Sequence, residues 1–328
     1  MMSDPNHMRA FQVTTIGQDP ILQVIDVPPL MPDTLQVQVK FCGLNFADTL
    51  MIKGTYQDTP EPPFTPGLEL AGTITKVGRD VSSFTVGQNV AIYSGQGGLA
   101  EYGVFAAERC VLVPQGLSLE HAAGFQIAYG TSHLALTHKA HLKQNETLLV
   151  LGAAGGVGLT AVEVGHVLGA RVIAVARGVE KCAIAKAAGA DVVINSEHED
   201  IRQTALDLGG ADVVYDPVGG SHFTDAFRAC KPEARILIIG FASGDIPTIK
   251  PNHAMVKNIS LHGLNWGAYL KFNPRALTES LKELMKWYEK GVLKPHVSHV
   301  LPFEQALEGL DLLRHRKSSG KVIIRVAD

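Results

Sequence analysis

Cysteine is scarce in this sequence, and its spacing excludes the structures that cysteine usually supports. The 328 residues contain four cysteines, at positions 42, 110, 182 and 230, and no two of them form a C-x-x-C pair. Such spacing predicts neither a disulfide framework nor a zinc cluster. We expect all four to be small buried hydrophobic residues.

Long apolar runs and basic clusters are also missing. No apolar run reaches the roughly eighteen residues that a membrane-spanning helix needs, and residues 1–7 lack the basic and apolar regions of a signal peptide. The formal net charge is -3, and no cluster of Lys and Arg is interleaved with aromatic residues. We therefore expect a cytoplasmic protein that binds neither membranes nor nucleic acid.

One stretch carries a specific signal. In residues 147–158, TLLVLGAAGGVG, an apolar strand breaks into a glycine-rich turn that opens a helix. Gly155 and Gly158 fit the last two glycines of the dinucleotide-binding fingerprint, while Ala153 occupies the first glycine position. Such a turn lets the main chain approach a pyrophosphate, which the helix N-terminus then attracts. A plain tight turn is the alternative interpretation.

Helical and strand patterns alternate after this turn. Helical patterns cover residues 157–168, 179–188, 199–208 and 221–230, and apolar strand patterns cover residues 170–175, 191–194, 212–215 and 235–239. This alternation predicts an α/β fold with a doubly wound parallel sheet.

The sequence on either side has a different pattern. Short alternating runs at residues 35–41, 70–77, 89–93 and 100–105 predict strands of a half-exposed sheet. Ser118 is a candidate N-cap for the next helical segment, and residues 274–290 predict an amphipathic helix. The last apolar run, residues 320–326, predicts a strand that pairs with the first sheet.

The end of the second strand of the α/β region indicates which dinucleotide is bound. An acidic residue is expected about twenty positions after the glycines to hold a free ribose 2′-hydroxyl, but Arg177 and Lys181 stand there. Cations suit a 2′-phosphate, which a carboxylate would repel. The sequence therefore predicts NADPH as cofactor. The alternative is that both are solvated cations in the first turn of a helix.

Four motifs together resemble the medium-chain dehydrogenase/reductase superfamily. They are VKFCGLNFAD (39–48), FTPGLELAG (64–72), the glycine turn and GKV (320–322). Within that superfamily the chain is similar to the zinc-free NADPH:quinone oxidoreductases, the group that includes zeta-crystallin. The resemblance implies a GroES-like β-rich catalytic domain (1–127 and 267–328), a Rossmann NADPH-binding domain (128–266) and a homodimer.

The resemblance also shows where this chain departs from zinc alcohol dehydrogenases. Those enzymes place a Cys ligand at the position of Asn45 and a His ligand at that of Leu68, and Leu cannot bind zinc. We therefore expect no catalytic metal. His121, His133, His138 and His141 form no metal-binding pair near these positions, and we expect them to be solvated or capping residues.

The resemblance assigns roles to individual residues. Asn45 and Tyr56 line the nicotinamide and substrate pocket as catalytic hydrogen-bond donors, although Asn45 could be only a turn-former and Tyr56 only a loop anchor. Lys181 and Arg316 match cations that hold the 2′-phosphate, and Ser196 stands where some relatives contact that phosphate. The remaining cofactor positions are Tyr129, Thr131, Ala154, Gly155, Gly156, Val157, Val218, Gly240, Phe241, Ala242, Leu264 and Trp266.

The lack of zinc ligands affects which reaction we expect. A protein without a Lewis acid stabilises an alkoxide poorly, whereas a quinone spreads negative charge over a conjugated system. We therefore expect NADPH-dependent reduction of quinones by hydride transfer. The alternatives are a reductase of α,β-unsaturated carbonyls or enoyl thioesters, and a non-catalytic NADPH-binding protein of crystallin type.

Overall fold

The computed structural model describes residues 6–327 and divides them into two compact units. The first unit combines the residues up to Ile127 with those from His296 onwards, and the second is Ala128–Pro295. Among the residues described, no helix is both long enough and apolar enough to cross a bilayer.

The elements are labelled in chain order. The strands are β1 His7–Gln12, β2 Ile21–Asp26, β3 Thr34–Leu44, β4 Glu69–Val77, β5 Asn89–Tyr93, β6 Tyr102–Ala106, β7 Cys110–Leu112, β8 Thr147–Val150, β9 Arg171–Ala176, β10 Val192–Asn195, β11 Ala211–Asp216, β12 Cys230–Ile238, β13 Ser260–Gly263, β14 Val297–Pro302 and β15 Lys321–Arg325. The helices are α1 Phe46–Ile52, α2 Leu119–Ala123, α3 Gln126–His133, α4 Gly156–Val167, α5 Val179–Ala187, α6 Ile201–Asp207, α7 Gly220–Arg228, α8 Pro251–Lys257, α9 Tyr269–Phe272, α10 Pro274–Glu289 and α11 Ala306–Arg314. A π-helical turn, Leu134–Lys139, continues α3, and 3₁₀ turns lie at Ala107–Arg109 and Phe303–Gln305.

A seven-stranded sheet organises the first unit. Its order is β14-β15-β3-β4-β5-β7, with β6 also paired to β3. The last strand, β15, runs antiparallel to β3, with Val322 opposite Leu44. The predicted pairing of the C-terminal strand with the first sheet is therefore confirmed. As a result, Lys321 at the start of β15 reaches the end of β3.

A six-stranded parallel sheet organises the second unit. Its order is β10-β9-β8-β11-β12-β13, which is the 3-2-1-4-5-6 order of a Rossmann fold. The predicted doubly wound sheet is confirmed. The strand order reverses between β8 and β11, and ligands of such sheets bind beyond the carboxyl ends of the strands at that point.

The second unit extends further than the sequence analysis places it. Helix α10 packs on the end of α3, where His133 Nδ1 lies 2.8 Å from Ser280 Oγ. The His133 imidazole also contacts the Trp287 ring edge-on, with the two ring centroids 5.1 Å apart. The contacts therefore place the return to the first unit at His296 rather than at residue 267. The sequence of an amphipathic helix shows that the helix has an apolar face. It does not show which surface that face covers.

The same packing corrects the expectation for His133. Its side chain is buried, not solvated, and burial lowers its pKa to about 4. His138, by contrast, is exposed, with its ring against the edge of Tyr269. His121 lies in the first turn of α2, where its main-chain N–H donates to the predicted N-cap Ser118.

Candidate functional site

The glycine turn lies between β8 and α4 and is built almost entirely from main chain. Gly152 has a φ of +58°, a conformation that favours glycine. A Cβ on Gly158 would lie 2.2 Å from the Gly152 carbonyl oxygen, so the first turn of α4 packs directly on the turn that precedes it. Both glycines are therefore required by the fold of this segment.

The predicted residues Ala154, Gly155, Gly156 and Val157 form the entrance to α4. Gly155 is the N-cap and is exposed, while Gly156 and Val157 are half-buried. No side chain caps this end of the helix. The first N–H groups of a helix have no helical acceptor and carry the positive end of its dipole. The segment is thus suited to bind a pyrophosphate.

Arg177 follows β9 at the same edge of the sheet. Its guanidinium Nε lies 3.4 Å from Glu197 Oε1, and both side chains are well exposed. The Asn195 side chain at the end of β10 accepts from the main-chain N–H groups of Gly178 and Glu197, which ties the two strand ends together. An acidic residue thus stands beside the predicted phosphate-binding cation.

Lys181 and Ser196 are the other predicted phosphate contacts in this unit. Lys181 lies in the first turn of α5 and is half-buried. Ser196 directly follows β10, and its hydroxyl donates to the Ala176 carbonyl at the end of β9. Both residues therefore lie at the strand ends that carry Arg177.

The loops after β11 and β12 join at the carboxyl edge of the sheet. Ala242 N donates to the Pro217 carbonyl, and Ser243 N donates to the Val218 carbonyl. A Cβ on Gly219 would lie 3.1 Å from the Phe241 ring. The structure therefore brings together the predicted residues of these loops, which are Val218, Gly240, Phe241 and Ala242. Leu264 lies at the end of the adjacent β13, with its N–H bonded to the Ile238 carbonyl.

Asp216 fixes the first of these loops from within. Its Oδ1 accepts from the main-chain N–H groups of Val218 and Gly219 at 2.7 and 2.9 Å. The side chain is buried, and burial raises its pKa. Asp216 therefore acts as a structural anchor for the turn that follows β11.

Tyr129 and Trp266 are both buried in the second unit. A Cβ on Gly130 would lie 2.6 Å from Trp266 Nε1, so the indole packs directly on the backbone of α3. The Tyr129 hydroxyl donates to Glu163 Oε2 at 2.5 Å, and burial raises the pKa of this phenol. The Tyr129 hydroxyl proton is thus bonded to Glu163 on α4. Thr131, two residues further along α3, is also buried.

A second group of functional side chains lies in the first unit and is built around Lys321. The Lys321 ammonium donates to Glu69 Oε1, Asn45 Oδ1 and the Leu44 carbonyl, each at 2.8 Å. Lys321 is 8% exposed and Glu69 is 1% exposed. Glu69 Oε2 accepts from the Ile127 N–H at 3.1 Å. We call Asn45, Glu69 and Lys321 the Lys321 cluster.

Asn45 uses its whole carboxamide within this cluster. Its Nδ2 donates to Glu69 Oε1 and to the Gly43 carbonyl, both at 3.1 Å, while its Oδ1 accepts from Lys321. Asn45 is also the N-cap residue of α1. Both amide hydrogens therefore have acceptors within the first unit, which leaves neither for a substrate carbonyl.

Asp48 forms hydrogen bonds with the main chain beside the Lys321 cluster. Its carboxylate accepts from the main-chain N–H groups of Asn45, Gly67 and Leu68. The side chain is fully buried, and burial raises its pKa to about 7 against the opposing effect of these donors. Asp48 thus joins the start of α1 to the segment that precedes β4.

Tyr56 and Arg316 complete the predicted set. Tyr56 lies in the loop after α1 and packs against the core of the first unit. Burial raises the pKa of its phenol, which therefore keeps its proton and remains a hydrogen-bond donor. Arg316 follows α11 in the first unit with a φ of +55° and is exposed. Its contact with a 2′-phosphate stays a prediction.

The residues at the zinc-ligand positions do not fit a zinc ion. Leu68 is buried and has no donor atom. The Asn45 carboxamide is bound to Lys321, whose ammonium already supplies the positive charge beside Glu69. Within residues 6–327 no group of three or more His, Cys, Asp or Glu side chains could hold a metal ion.

Comparisons with known proteins identify the family. Residues 31–115 match the alcohol dehydrogenase GroES-like domain, and residues 156–290 match the zinc-binding dehydrogenase family. Over 308 residues the chain is 36% identical to quinone oxidoreductase-like protein 2 of Bos taurus, covering 93% of this chain and 88% of that protein. The chain belongs to the medium-chain dehydrogenase/reductase superfamily. Its relatives there include quinone oxidoreductase-like proteins, in line with the sequence motifs.

Solved structures of this superfamily have the same fold. The quinone oxidoreductase of Thermus thermophilus, solved also in complex with NADPH, is 30% identical with a TM-score of 0.85, covering 97% of this chain and 100% of that chain. The Escherichia coli quinone oxidoreductase complexed with NADPH is 27% identical with a TM-score of 0.87, covering 98% and 100%. The predicted GroES-like and Rossmann architecture is confirmed.

Sequence reasoning missed three residues that shape the two regions. Gly152 has the positive φ that the turn needs, and a glycine directly after an apolar strand could have indicated it. Glu197 is visible only once β9 and β10 are adjacent. Glu69 lies within the FTPGLELAG motif, but its ion pair with Lys321 joins positions 252 residues apart.

Proposed function

We propose that this chain is an NADPH-dependent oxidoreductase that reduces quinones by hydride transfer without a metal. The observation that carries the proposal is the glycine turn at the switch point of a parallel sheet, where Gly152 has a positive φ and α4 begins uncapped. The NADPH complexes of the two bacterial quinone oxidoreductases support the choice of cofactor.

The N-terminus of α4 holds the pyrophosphate in this proposal. The exposed Gly155 has no side chain to block the approach, and the N–H groups of Gly156 and Val157 face the anion. A Cβ on Gly155 would meet only the Gly152 carbonyl oxygen, at an ordinary 3.4 Å. The main chain is therefore open on the ligand side and tightly packed on the other.

Arg177 and Lys181 hold the 2′-phosphate, with Ser196 beside them and Arg316 as a further cation. The Arg177–Glu197 pair is exposed and 3.4 Å long, and such pairs contribute about 0 to 1 kcal/mol. A phosphate makes stronger, charge-assisted hydrogen bonds. Arg177 can therefore exchange Glu197 for the phosphate at little cost.

The residues of the first unit set the chemistry available to the acceptor. NADPH supplies a hydride when it is bound. The Tyr56 phenol, protonated because burial raises its pKa, donates to the acceptor oxygen. Asn45 has no spare N–H, so it orients the nicotinamide as a fixed dipole and does not donate to the acceptor. Charge that develops on a quinone is delocalised, which removes the need for a metal.

We also propose that the protein is a homodimer with a small-molecule substrate. Strand β13 forms one edge of the parallel sheet, and Leu261 on it is partly exposed. Met255 and Val256 on the adjacent α8 are 71% and 74% exposed. Exposed apolar residues beside an open strand edge are a typical setting for pairing between two copies.

The direct test is NADPH oxidation with a panel of quinones, enones and enoyl thioesters, followed by absorbance. The proposal expects the fastest turnover with quinones and slower turnover with NADH. Exclusive reduction of enones or enoyl thioesters would replace the substrate class. Tight NADPH binding with no oxidation by any acceptor would identify a binding protein without catalysis.

Asn45→Ala gives the first site test. Turnover of a simple quinone should fall by roughly ten- to a hundredfold, each factor of ten corresponding to about 1.4 kcal/mol. NADPH affinity, measured by fluorescence titration, should change much less because the pyrophosphate contacts remain. Wild-type turnover in this variant would leave Asn45 as no more than the N-cap residue of α1.

A further inference from the structure

A buried ion pair lies beside Asn45, and a pair of this kind is weak evidence of a role in stability. Lys321 and Glu69 are both more than nine-tenths buried, and their charged atoms lie 2.8 Å apart. Removing two charges from water is costly, and well-packed apolar residues of similar volume are often as stable or more stable. The pair therefore needs an explanation other than stability.

The arrangement of the pair gives Asn45 a single orientation. Lys321 is a pure donor and must face the carboxamide oxygen, while Glu69 and the Gly43 carbonyl are acceptors and must face the amide nitrogen. A flipped carboxamide would place NH₂ against the ammonium and oxygen against two acceptors. Three independent contacts thus fix the dipole of Asn45.

The backbone reserves space for the Lys321 stem. A Cβ on Gly124 would lie 2.9 Å from Lys321 Cε and 3.0 Å from Ile323 Cδ1. A Cβ on Gly43 would lie 2.3 Å from the Ala123 carbonyl oxygen. Glycines at these two positions let the end of α2 approach β3 and β15 closely enough to enclose the ammonium. The cluster is therefore built into the packing of this unit.

We propose that Lys321 and Glu69 are positioning residues that act on the reaction through Asn45, by fixing the orientation of its carboxamide. The role of Asn45 in this inference rests on the proposed function. The orientation itself rests only on the contacts of the Lys321 cluster. Lys321 and Glu69 touch neither substrate nor cofactor in this account.

A double-mutant design tests the coupling. The pair Lys321→Met and Glu69→Gln removes both charges of the ion pair together, so neither partner is left buried without the other. This neutral-pair variant should fold and bind NADPH within about threefold of wild type, whereas kcat with a simple quinone should fall about tenfold or more. In an Asn45→Ala background the same two changes should alter kcat by less than about twofold.

The matched control is Arg325→Met, which removes another cation from β15. Arg325 is exposed and lies over the Phe41 ring. Its kcat should equal that of wild type in both backgrounds. If the neutral-pair and Asn45→Ala effects multiply instead of saturating, the pair acts independently of Asn45 and the inference is overturned.

A second readout does not depend on turnover. In protein labelled with ¹⁵N-Asn, the side-chain NH₂ signals of Asn45 are those missing from Asn45→Ala. Their protons should exchange slowly with water in wild type and at least about tenfold faster in the neutral-pair variant. If wild type reduces no quinone, the proposed function fails and this exchange measurement alone decides the orientation. Equal exchange in both proteins would overturn the inference.

Discussion

The glycine turn and the Lys321 cluster are opposite ways to build a functional region. The glycine turn is one continuous stretch of glycine, alanine and valine, in which the first main-chain N–H groups of α4 have no helical acceptor and can bind a ligand. The Lys321 cluster joins side chains from three separate segments. The hydrogen-bond donors of these side chains are bonded to acceptors within the protein. The first region is suited to binding an anion, and the second to holding one group still.

This difference separates binding from turnover. Changes in the glycine turn should act on NADPH affinity, since the first N–H groups of α4 have no helical acceptor and are available to the pyrophosphate. Changes in the Lys321 cluster should act on kcat, because the polar groups of its members already have hydrogen-bond partners within the protein. The predictions below test that separation.

The largest effect on NADPH affinity is expected from Gly158→Ala. The new methyl would lie 2.2 Å from the Gly152 carbonyl oxygen, which forces α4 away from the turn. Overpacking of this kind costs about 1 to 3 kcal/mol or more, and we expect NADPH affinity to fall more than about a hundredfold. Calorimetric titration and thermal unfolding measure both quantities.

Gly155→Ala is the matched control within the same turn. Its methyl would meet the same carbonyl oxygen at 3.4 Å, an ordinary contact, and its φ of -78° suits alanine. The midpoint of thermal unfolding should therefore stay at the wild-type value. Wild-type NADPH affinity in Gly158→Ala would contradict the proposed role of the turn.

Lys321→Met should destabilise the first unit strongly. It leaves the Glu69 carboxylate buried without its cation, and breaking a buried pair in this way costs about 3 to 5 kcal/mol. Urea unfolding measures the loss. Adding Glu69→Gln should recover most of it, since residue 69 then carries no charge that lacks a partner. A single variant as stable as wild type would show that the pair is not effectively buried.

The contribution of Asp48 to the free energy of unfolding should decrease as pH rises, which is opposite to the usual behaviour of an aspartate. Burial raises its pKa in the folded protein from 3.8 to about 7, so the folded state binds more protons than the unfolded state between these values. Its contribution is full below about pH 4 and is lost as pH rises towards 7, by an amount on the order of 4 kcal/mol.

Asp48→Asn isolates that contribution. The free energy of unfolding of wild type minus that of the variant should decrease between pH 4 and 7 and stay level above pH 7. The variant has its own constant penalty, because its NH₂ group faces the Asn45 N–H. A difference that is flat or increases over this range would mean that the three N–H donors outweigh burial.

The smallest effects concern cofactor choice. Lys181→Ala should weaken NADPH binding about tenfold or more, because a charge-assisted hydrogen bond contributes roughly 1.5 to 3 kcal/mol, and NADH binding should hardly change. Glu197→Gln should act in the opposite direction and tighten NADPH up to about fivefold by releasing Arg177. Equal losses of both cofactors in Lys181→Ala would indicate a structural role for Lys181.

Local sequence signals predicted most of the fold. The glycine turn and the alternation after it are short-range patterns, and they gave the parallel sheet and the entrance to α4. The pairing of β15 was also predictable, since an apolar strand must find a sheet. The return point at His296 was not, because the contact between His133 and Ser280 joins positions 147 residues apart.

The candidate site was predictable in part for the same reason. Asn45 and Leu68 showed that the region lacks zinc ligands, because each ligand position of the zinc alcohol dehydrogenases can be compared with a single residue of this chain. The partners of Asn45 were not visible, since Lys321 could equally have been a solvated residue at a strand end. Glu197 became a neighbour of Arg177 only through the adjacent ends of β9 and β10.

The central claim is that the chain reduces quinones with NADPH while Lys321, and no metal, provides the cation beside Asn45. The most direct measurement follows quinone-dependent NADPH oxidation by chelator-treated protein, with metal content determined on the same sample. The account predicts full turnover at a negligible zinc content and no gain when zinc is added. Stoichiometric zinc, with turnover lost to the chelator and restored by the metal, would contradict it.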